Sequence, residues 1–235
     1  MPFPEIYTNI LFACVIIFCT VISAASVPFY NTLHKKQLLS ENLQSKKASS
    51  PLIYILCAVF GAAVGAFFAL KDIFIADVFL ILMIPSAVTV SLCDALNGFI
   101  PLAGLVFSGI CVVLRTAAVC FSESSAWQIL TFFAGGIFGV LLMLFVNFIA
   151  KKTGAALSDA GHIALIAIVF ACAGVVPGTA ILAAAEIAAL LLYILPVFFI
   201  SRKNGETIKL SSVSYPLAPF LTICFYVAAV LGLFR

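Results

Sequence analysis

Long apolar runs separated by short polar stretches dominate this sequence. Cutting the chain at charged residues and at clusters of Pro, Gly, Ser and Asn leaves eight apolar runs, at residues 6–29, 51–70, 73–93, 100–121, 126–150, 160–176, 178–200 and 214–234. A helix needs about 20 mostly apolar residues to cross a bilayer, and most runs reach that length. Because backbone groups inside a membrane must bond within their own segment, the pattern predicts an all-α, polytopic transmembrane bundle of about eight spans.

Composition excludes a water-soluble fold. Hydrophobic residues make up 65% of the chain and charged residues 9%, against roughly 45–50% and about 25% in an ordinary soluble domain. We therefore expect residues 1–235 to form one membrane domain, with the bilayer as a partner and no nucleic-acid partner. The eight cysteines include no C-x-x-C pair, so we expect neither a metal site nor a disulfide framework.

The positions of the basic residues predict the topology. Nine of the twelve Lys and Arg residues lie in three connections, at 30–50, 151–159 and 201–213. If the helices alternate in direction, these connections share one side with the turn at 94–99, and the positive-inside rule makes that side cytoplasmic. Both termini are then predicted to lie outside the cytoplasm.

Four acidic residues lie within or next to the apolar runs: Asp77, Asp94, Asp159 and Glu186. An aspartate at the centre of a span costs about 2.5–3.5 kcal/mol on insertion scales, so each needs a reason. Asp159 could serve as an N-cap after Ser158. Asp94 has no such explanation, because a carboxylate at a helix C-terminus opposes the helix dipole, and it is therefore a candidate for function.

The segments around both aspartates resemble the type IV prepilin peptidases. That family carries a first aspartate seven residues before a proline, in the form D-x-x-x-x-x-[IL]-P, and Asp94 is followed by Ile100 and Pro101 at that spacing. A second aspartate follows a basic loop in a G-x-G-D motif, which Lys151 to Asp159 resembles. The order and topology agree over about residues 73–235, which leaves 1–72 as N-terminal spans with a basic cytoplasmic loop.

The start of the last predicted helix also resembles the family, whereas positions close to Asp159 differ from the family's motif. The family opens its last helix with a phrase close to P-F-x-P-F-L, and Pro216 to Leu221, which includes Pro219, resembles it. Ala156 and Ser158 stand where the family has its two glycines, and Gly161 stands where it usually has a lysine. His162 could replace that lysine, but we interpret it as a packing residue, because a histidine one turn into a helix more often packs.

The resemblance implies an intramembrane aspartyl endopeptidase of the plasma (inner) membrane. Its catalytic residues would be Asp94 and Asp159, supported by Pro101, Ser158, Pro216 and Pro219, with no cofactor. Two close carboxylates cannot both ionise easily, so such a pair can activate a shared water and protonate the departing amine. The substrate would be a prepilin or pseudopilin with a basic leader and an apolar helix.

The resemblance also bears on a second activity, methylation of the new pilin N-terminus. The full-length family carries a cysteine-rich domain linked to that reaction, and the 30–50 loop has no cysteine. The resemblance then implies a short, peptidase-only form or one whose partner supplies the methyltransferase, and methyltransferase activity of this chain itself is not expected.

Three other interpretations remain open at the sequence level. The altered glycines fit a degenerate relative that acts as a membrane scaffold. Asp94 or Glu186 could couple protons or cations in a transporter, and a presenilin-like aspartyl protease would share the aspartate chemistry but not the closing motif. Glu186 itself could pair with Arg115 or line a polar cavity.

Overall fold

The computed structural model describes residues 3–37, 50–70, 75–123, 127–153, 158–203 and 215–233. These ranges are helical apart from short turns and contain no strand. A π-helical turn at Leu190–Ile194 joins α7 to α8 without a break. The helices in chain order are α1 (Phe3–Gln37), α2 (Pro51–Leu70), α3 (Ile75–Asn97), α4 (Leu102–Glu123), α5 (Trp127–Thr153), α6 (Ala160–Ala173), α7 (Val175–Ala189), α8 (Leu195–Lys203) and α9 (Leu217–Val230).

The predicted all-α membrane bundle is confirmed. Because α7 and α8 are continuous, the described ranges hold eight helical segments, the number of apolar runs in the sequence. Two segments are short: α6 and α9 have 14 residues each, or about 21 Å at the helical rise, against a hydrocarbon core of about 30 Å. Six segments of the described chain are long and apolar enough to cross a membrane, at Phe12–Thr32, Pro51–Leu70, Ala76–Asn97, Leu102–Ser122, Trp127–Thr153 and Val175–Arg202.

The two short helices pack between longer helices of the bundle. Helix α6 packs against α4, α5 and α7, while α9 packs against α3 and α7. Phe170 of α6 is fully buried, and it approaches α5 closely at Gly135, where a Cβ would lie 2.1 Å from the Phe170 carbonyl oxygen. Helix α6 presents no large exposed apolar side chain, whereas Ile223 and Val227 of α9 remain about half exposed.

A single residue, Gly174, joins α6 to α7. Its φ of 84° and ψ of 176° lie in a region that glycine alone populates readily. The turn remains hydrogen-bonded, because Gly174 N donates to Phe170 O at 2.8 Å and Gly178 N donates to Gly174 O at 3.0 Å. These two bonds continue the helical hydrogen bonding across the junction, which limits the number of unpaired backbone groups there.

Helix α1 differs from its predicted length. The apolar run ends at residue 29, but the helix continues to Gln37. Lys35, Lys36 and Gln37 are good helix formers, so the end of the apolar run marks the end of the membrane-facing part and not the end of the helix. The connection after α1 is therefore shorter than the predicted 30–50 loop, and its residues 38–49 lie outside the described residues.

Helix ends that were predicted to share the cytoplasmic side lie together. Asn97, the last residue of α3, donates to the Tyr30 hydroxyl of α1 at 2.7 Å, and Asn147 near the end of α5 bonds to Ser158 just before α6. These contacts join the ends of α1, α3, α5 and α6 at one end of the bundle. Residues 154–157 and 204–214, which include Ala156 and most of the last basic connection, lie outside the described residues.

Candidate active site

Asp94 lies one turn before the end of α3 and is buried. Its Oδ2 accepts a hydrogen bond of 2.7 Å from Ala218 N in the first turn of α9. Helix α3 is fixed against α9 by further polar contacts, including one of 2.9 Å between the Ser91 and Thr222 hydroxyls. The carboxylate opposes the dipole of its own helix, but it also lies at the positively polarised N-terminus of α9, where an anion is favoured.

Asp159 is the N-cap of α6, as the sequence suggested. Its Oδ1 accepts a hydrogen bond of 2.8 Å from His162 N, and half of its side chain is exposed. Burial raises the pKa of the Asp159 carboxyl, but the hydrogen bonds and charge of His162 act in the opposite direction and leave the pKa below its ordinary value. Asp159 is thus both a capping residue and an accessible carboxylate.

His162 lies between the two aspartates. Its Nδ1 is 2.7 Å from Asp159 Oδ1, and its Nε2 is 3.2 Å from Asp94 Oδ1. The interpretation of His162 as a packing residue is therefore wrong. Two carboxylates that are 65 residues apart in sequence are joined through one imidazole ring.

The prolines predicted to support the site begin two of its helices. Pro216 is the N-cap residue of α9 and supplies no side-chain cap, so Asp94 provides the acceptor that a capping side chain would otherwise give. Pro219 lies in the first turn of α9, where proline is compatible with helix geometry. Pro101 precedes α4, and its carbonyl accepts from Gly104 N at 3.1 Å.

Asn147 is a site residue that the sequence analysis missed. Its side chain accepts from Ser158 N at 2.8 Å and donates to Ser158 O at 2.9 Å. It holds the segment before Asp159 against α5 through the backbone, independently of the Ser158 hydroxyl. An amide inside the apolar run 126–150 was the available signal, because polar groups in a span need a partner.

Ser158→Gly should leave activity equal or higher, because both contacts with Asn147 use the Ser158 backbone and glycine adds backbone freedom before Asp159.

Asn147→Leu removes both contacts and should lower activity about tenfold, since a small misplacement of a catalytic group is costly. Cleavage per amount of inserted protein measures both. A large loss in Ser158→Gly would assign a direct role to the hydroxyl.

Glu186 of α7 lies beside the site and contacts Tyr215, which directly precedes α9. The Tyr215 hydroxyl donates a hydrogen bond to Glu186 Oε2. Burial, followed by the bond to Glu186, raises the pKa of the Tyr215 hydroxyl above its ordinary value. Arg115, the partner considered from sequence, donates to the Cys172 carbonyl at 3.3 Å. The Glu186–Tyr215 pair ties α7 to the start of α9, which carries the amide that binds Asp94.

Glu186→Gln should lower stability by about 1 kcal/mol and leave cleavage nearly intact, because it disturbs the hydrogen bond with Tyr215 and one such bond contributes on that scale. Tyr215→Phe removes the same bond, so the double variant should be little less stable than either single variant. Thermal unfolding in detergent, with cleavage measured in parallel, tests this. Loss of the reaction in well-folded Glu186→Gln would move Glu186 into the catalytic set.

In the described part of the chain, no group of three or more His, Cys, Asp or Glu side chains is arranged to hold a metal ion. The side chains that meet at this end of the bundle, two carboxylates and an imidazole, are groups that can transfer protons.

Comparisons with protein-family models, with curated proteins and with solved structures gave no match. Functional inference therefore depends on the geometry of the site and on the motifs of the sequence.

Proposed function

We propose that this membrane protein is an intramembrane aspartyl endopeptidase that cleaves the leader of prepilin-like or pseudopilin substrates at the cytoplasmic membrane boundary. The observation that carries the proposal is the meeting of Asp94 and Asp159 on one imidazole, although they come from different helices. A buried acid at an unfavourable helix end needs a reason, and proton transfer supplies one.

The placement of the pair supports cleavage close to a membrane surface. Both acids lie at the bundle end where α1, α3, α5 and α6 have the ends predicted to be cytoplasmic. In a plasma (inner) membrane with both termini outside the cytoplasm, a basic leader would remain on the cytoplasmic side. The junction between that leader and its apolar helix would then reach Asp159.

An apolar groove on the bundle supports the proposal that the substrate has an apolar helix next to its cleavage site. The groove lies between α4 and α5 with α6 as its floor, and its volume is about 520 Å³. Small residues such as Gly109, Gly136, Ala167 and Ala171 line part of it, which allows close approach of another helix. Ala167 is eight residues from Asp159, about 12 Å along the helix axis.

Co-expression with a pilin-like protein that has a basic leader and an apolar helix tests the proposal. We expect a shortened product whose new N-terminus lies at the leader junction, identified by mass spectrometry. The control substrate has its basic leader residues replaced by acidic ones. Absence of cleavage with inserted, folded enzyme would favour a catalytically degenerate scaffold.

A proton-coupled transporter is the second candidate. The specific observation in its favour is the Asp94–His162–Asp159 chain, because aspartate and histidine chains also form proton relays in transporters. Proton uptake by sealed proteoliposomes, without any peptide cleavage, would favour this function over the peptidase.

A further inference from the structure

The contacts of His162 limit the possible protonation states of the site. An ionised carboxylate only accepts hydrogen bonds, and a neutral imidazole donates through one nitrogen only. Both ring nitrogens of His162 face carboxylate oxygens, at 2.7 Å from Asp159 and 3.2 Å from Asp94. Hydrogen bonds at both nitrogens would need two protons. Either the ring is an imidazolium between two carboxylates, or one carboxyl group is protonated beside a neutral ring.

The ring is held in place by the helix cap. His162 is the third residue of α6; its backbone N donates to Asp159 Oδ1, and its ring Nδ1 is hydrogen-bonded to the same oxygen at 2.7 Å. The first of these bonds is a usual contact between a capping side chain and the third helical residue. Two bonds to one oxygen fix the side-chain torsions and direct Nε2 at Asp94. The other ionisable groups close to the pair, Tyr215 and Glu186, bond to each other.

Exposure separates the roles of the two carboxylates. The Asp159 side chain is 50% exposed and the Asp94 side chain 2%, with His162 between them at 15%. Water can therefore reach Asp159, while Asp94 is enclosed and also bound by Ala218 N. The imidazole ring of His162 lies between the two carboxylates.

We infer that His162 is a third catalytic residue, the general acid of a carboxylate–imidazolium–carboxylate triad, an inference that depends on the proposed peptidase function. Asp159 takes a proton from the attacking water as the water oxygen bonds to the scissile carbonyl carbon. His162 gives its proton to the amide nitrogen as the carbon–nitrogen bond breaks, which releases the amine. The proton on Asp159 then passes to the neutral His162 ring, which restores the imidazolium, while Asp94 stays next to Nε2 throughout.

The protonation state can be measured without a substrate. The chain has two histidines, so His34→Gln leaves His162 as the single imidazole. Nitrogen-15 NMR of the histidine-labelled full chain in micelles near neutral pH should show both ring nitrogens protonated. Asp94→Asn and Asp159→Asn should each convert the ring to a neutral tautomer. A neutral ring in the parent protein that neither substitution changes would overturn the triad.

Cleavage kinetics test the catalytic role itself. His162→Gln should lower kcat about a hundredfold and leave KM nearly unchanged, as expected for a group that acts in the transition state. His34→Gln is the matched control and should cleave normally. If folded His162→Gln kept more than about a third of the wild-type kcat, His162 would not be the acid. An imidazolium in the NMR spectrum with no cleavage by the wild-type protein would support the triad and overturn the peptidase function.

Discussion

Asp94→Asn and Asp159→Asn should each abolish nearly all cleavage, a loss of about a hundredfold or more, because general acid–base groups contribute on that scale. The first change removes the anchor of His162 and the second removes the accessible base. Folding should survive both. Asparagine is a good N-cap at position 159. At position 94, the amide oxygen of an asparagine can still accept from Ala218 N, which bonds Asp94 in the native site.

A double variant of the two aspartates and a control at a third buried aspartate complete this test. Residues that act as a unit are strongly non-additive, so Asp94→Asn with Asp159→Asn should be little worse than either alone. Asp77→Asn is the control, because Asp77 is also buried on α3 but lies in its first turn. We expect this control to cleave normally per inserted molecule. If either site variant kept more than about a tenth of the activity, the aspartyl mechanism would be wrong and the scaffold or transporter would be favoured.

Much of the fold could be predicted from the sequence because hydrocarbon allows few solutions. Apolar run length and the need for internal backbone bonds predict helices directly, and eight runs correspond to eight helical segments. The end of α1 was missed, because Lys35 to Gln37 extend a helix without being apolar. That α6 and α9 pack between longer helices also could not be predicted, because an apolar run looks the same whether lipid or protein surrounds it.

The site was only partly predictable for a related reason. The locations of Asp94 and Asp159 along the chain, together with the alternating directions of the predicted helices, were enough to predict that both lie at one end of the bundle. The contacts of Asp94 with α6 and α9 depend on which helices are neighbours, and local spacing does not specify that. His162 was misinterpreted because its partner Asp159 is visible in the sequence as an N-cap, while its second partner is on another helix.

The prepilin peptidases that this chain resembles usually have a lysine at the position of Gly161. In this structure, a side chain at that position would meet its neighbours too closely. A Cβ on Gly161 would lie 2.8 Å from Ile100 Cβ and 3.3 Å from Asp159 Oδ1. Ile100 belongs to the α3–α4 turn, which follows Asp94 by one helical turn and is fixed by Pro101. Any side chain at position 161 would therefore press the start of α6 away from α3. A basic group next to the acids is supplied from position 162 instead.

Gly161→Ala should therefore lower activity about tenfold to a hundredfold, while membrane insertion is retained. Ile100 Cβ is attached directly to the backbone and cannot rotate away, so α6 must shift. Overpacking of this kind costs about 1–3 kcal/mol, and displacement by about 1 Å can cost a hundredfold in rate. The contact most exposed to this shift is that of His162 Nε2 with Asp94, already 3.2 Å long.

The rescue variant distinguishes this steric account from a general intolerance of glycine replacement. Ile100→Gly removes the opposing Cβ, so adding it to Gly161→Ala should restore most of the lost activity, a non-additivity expected of residues in contact. Ile100→Gly alone, compared with the wild-type protein, is the control for the loss of the isoleucine side chain. Cleavage per inserted molecule and thermal unfolding are measured for all four proteins. Full activity in Gly161→Ala, or a double variant no better than Gly161→Ala alone, would show that close packing of α6 against the α3–α4 turn does not position His162.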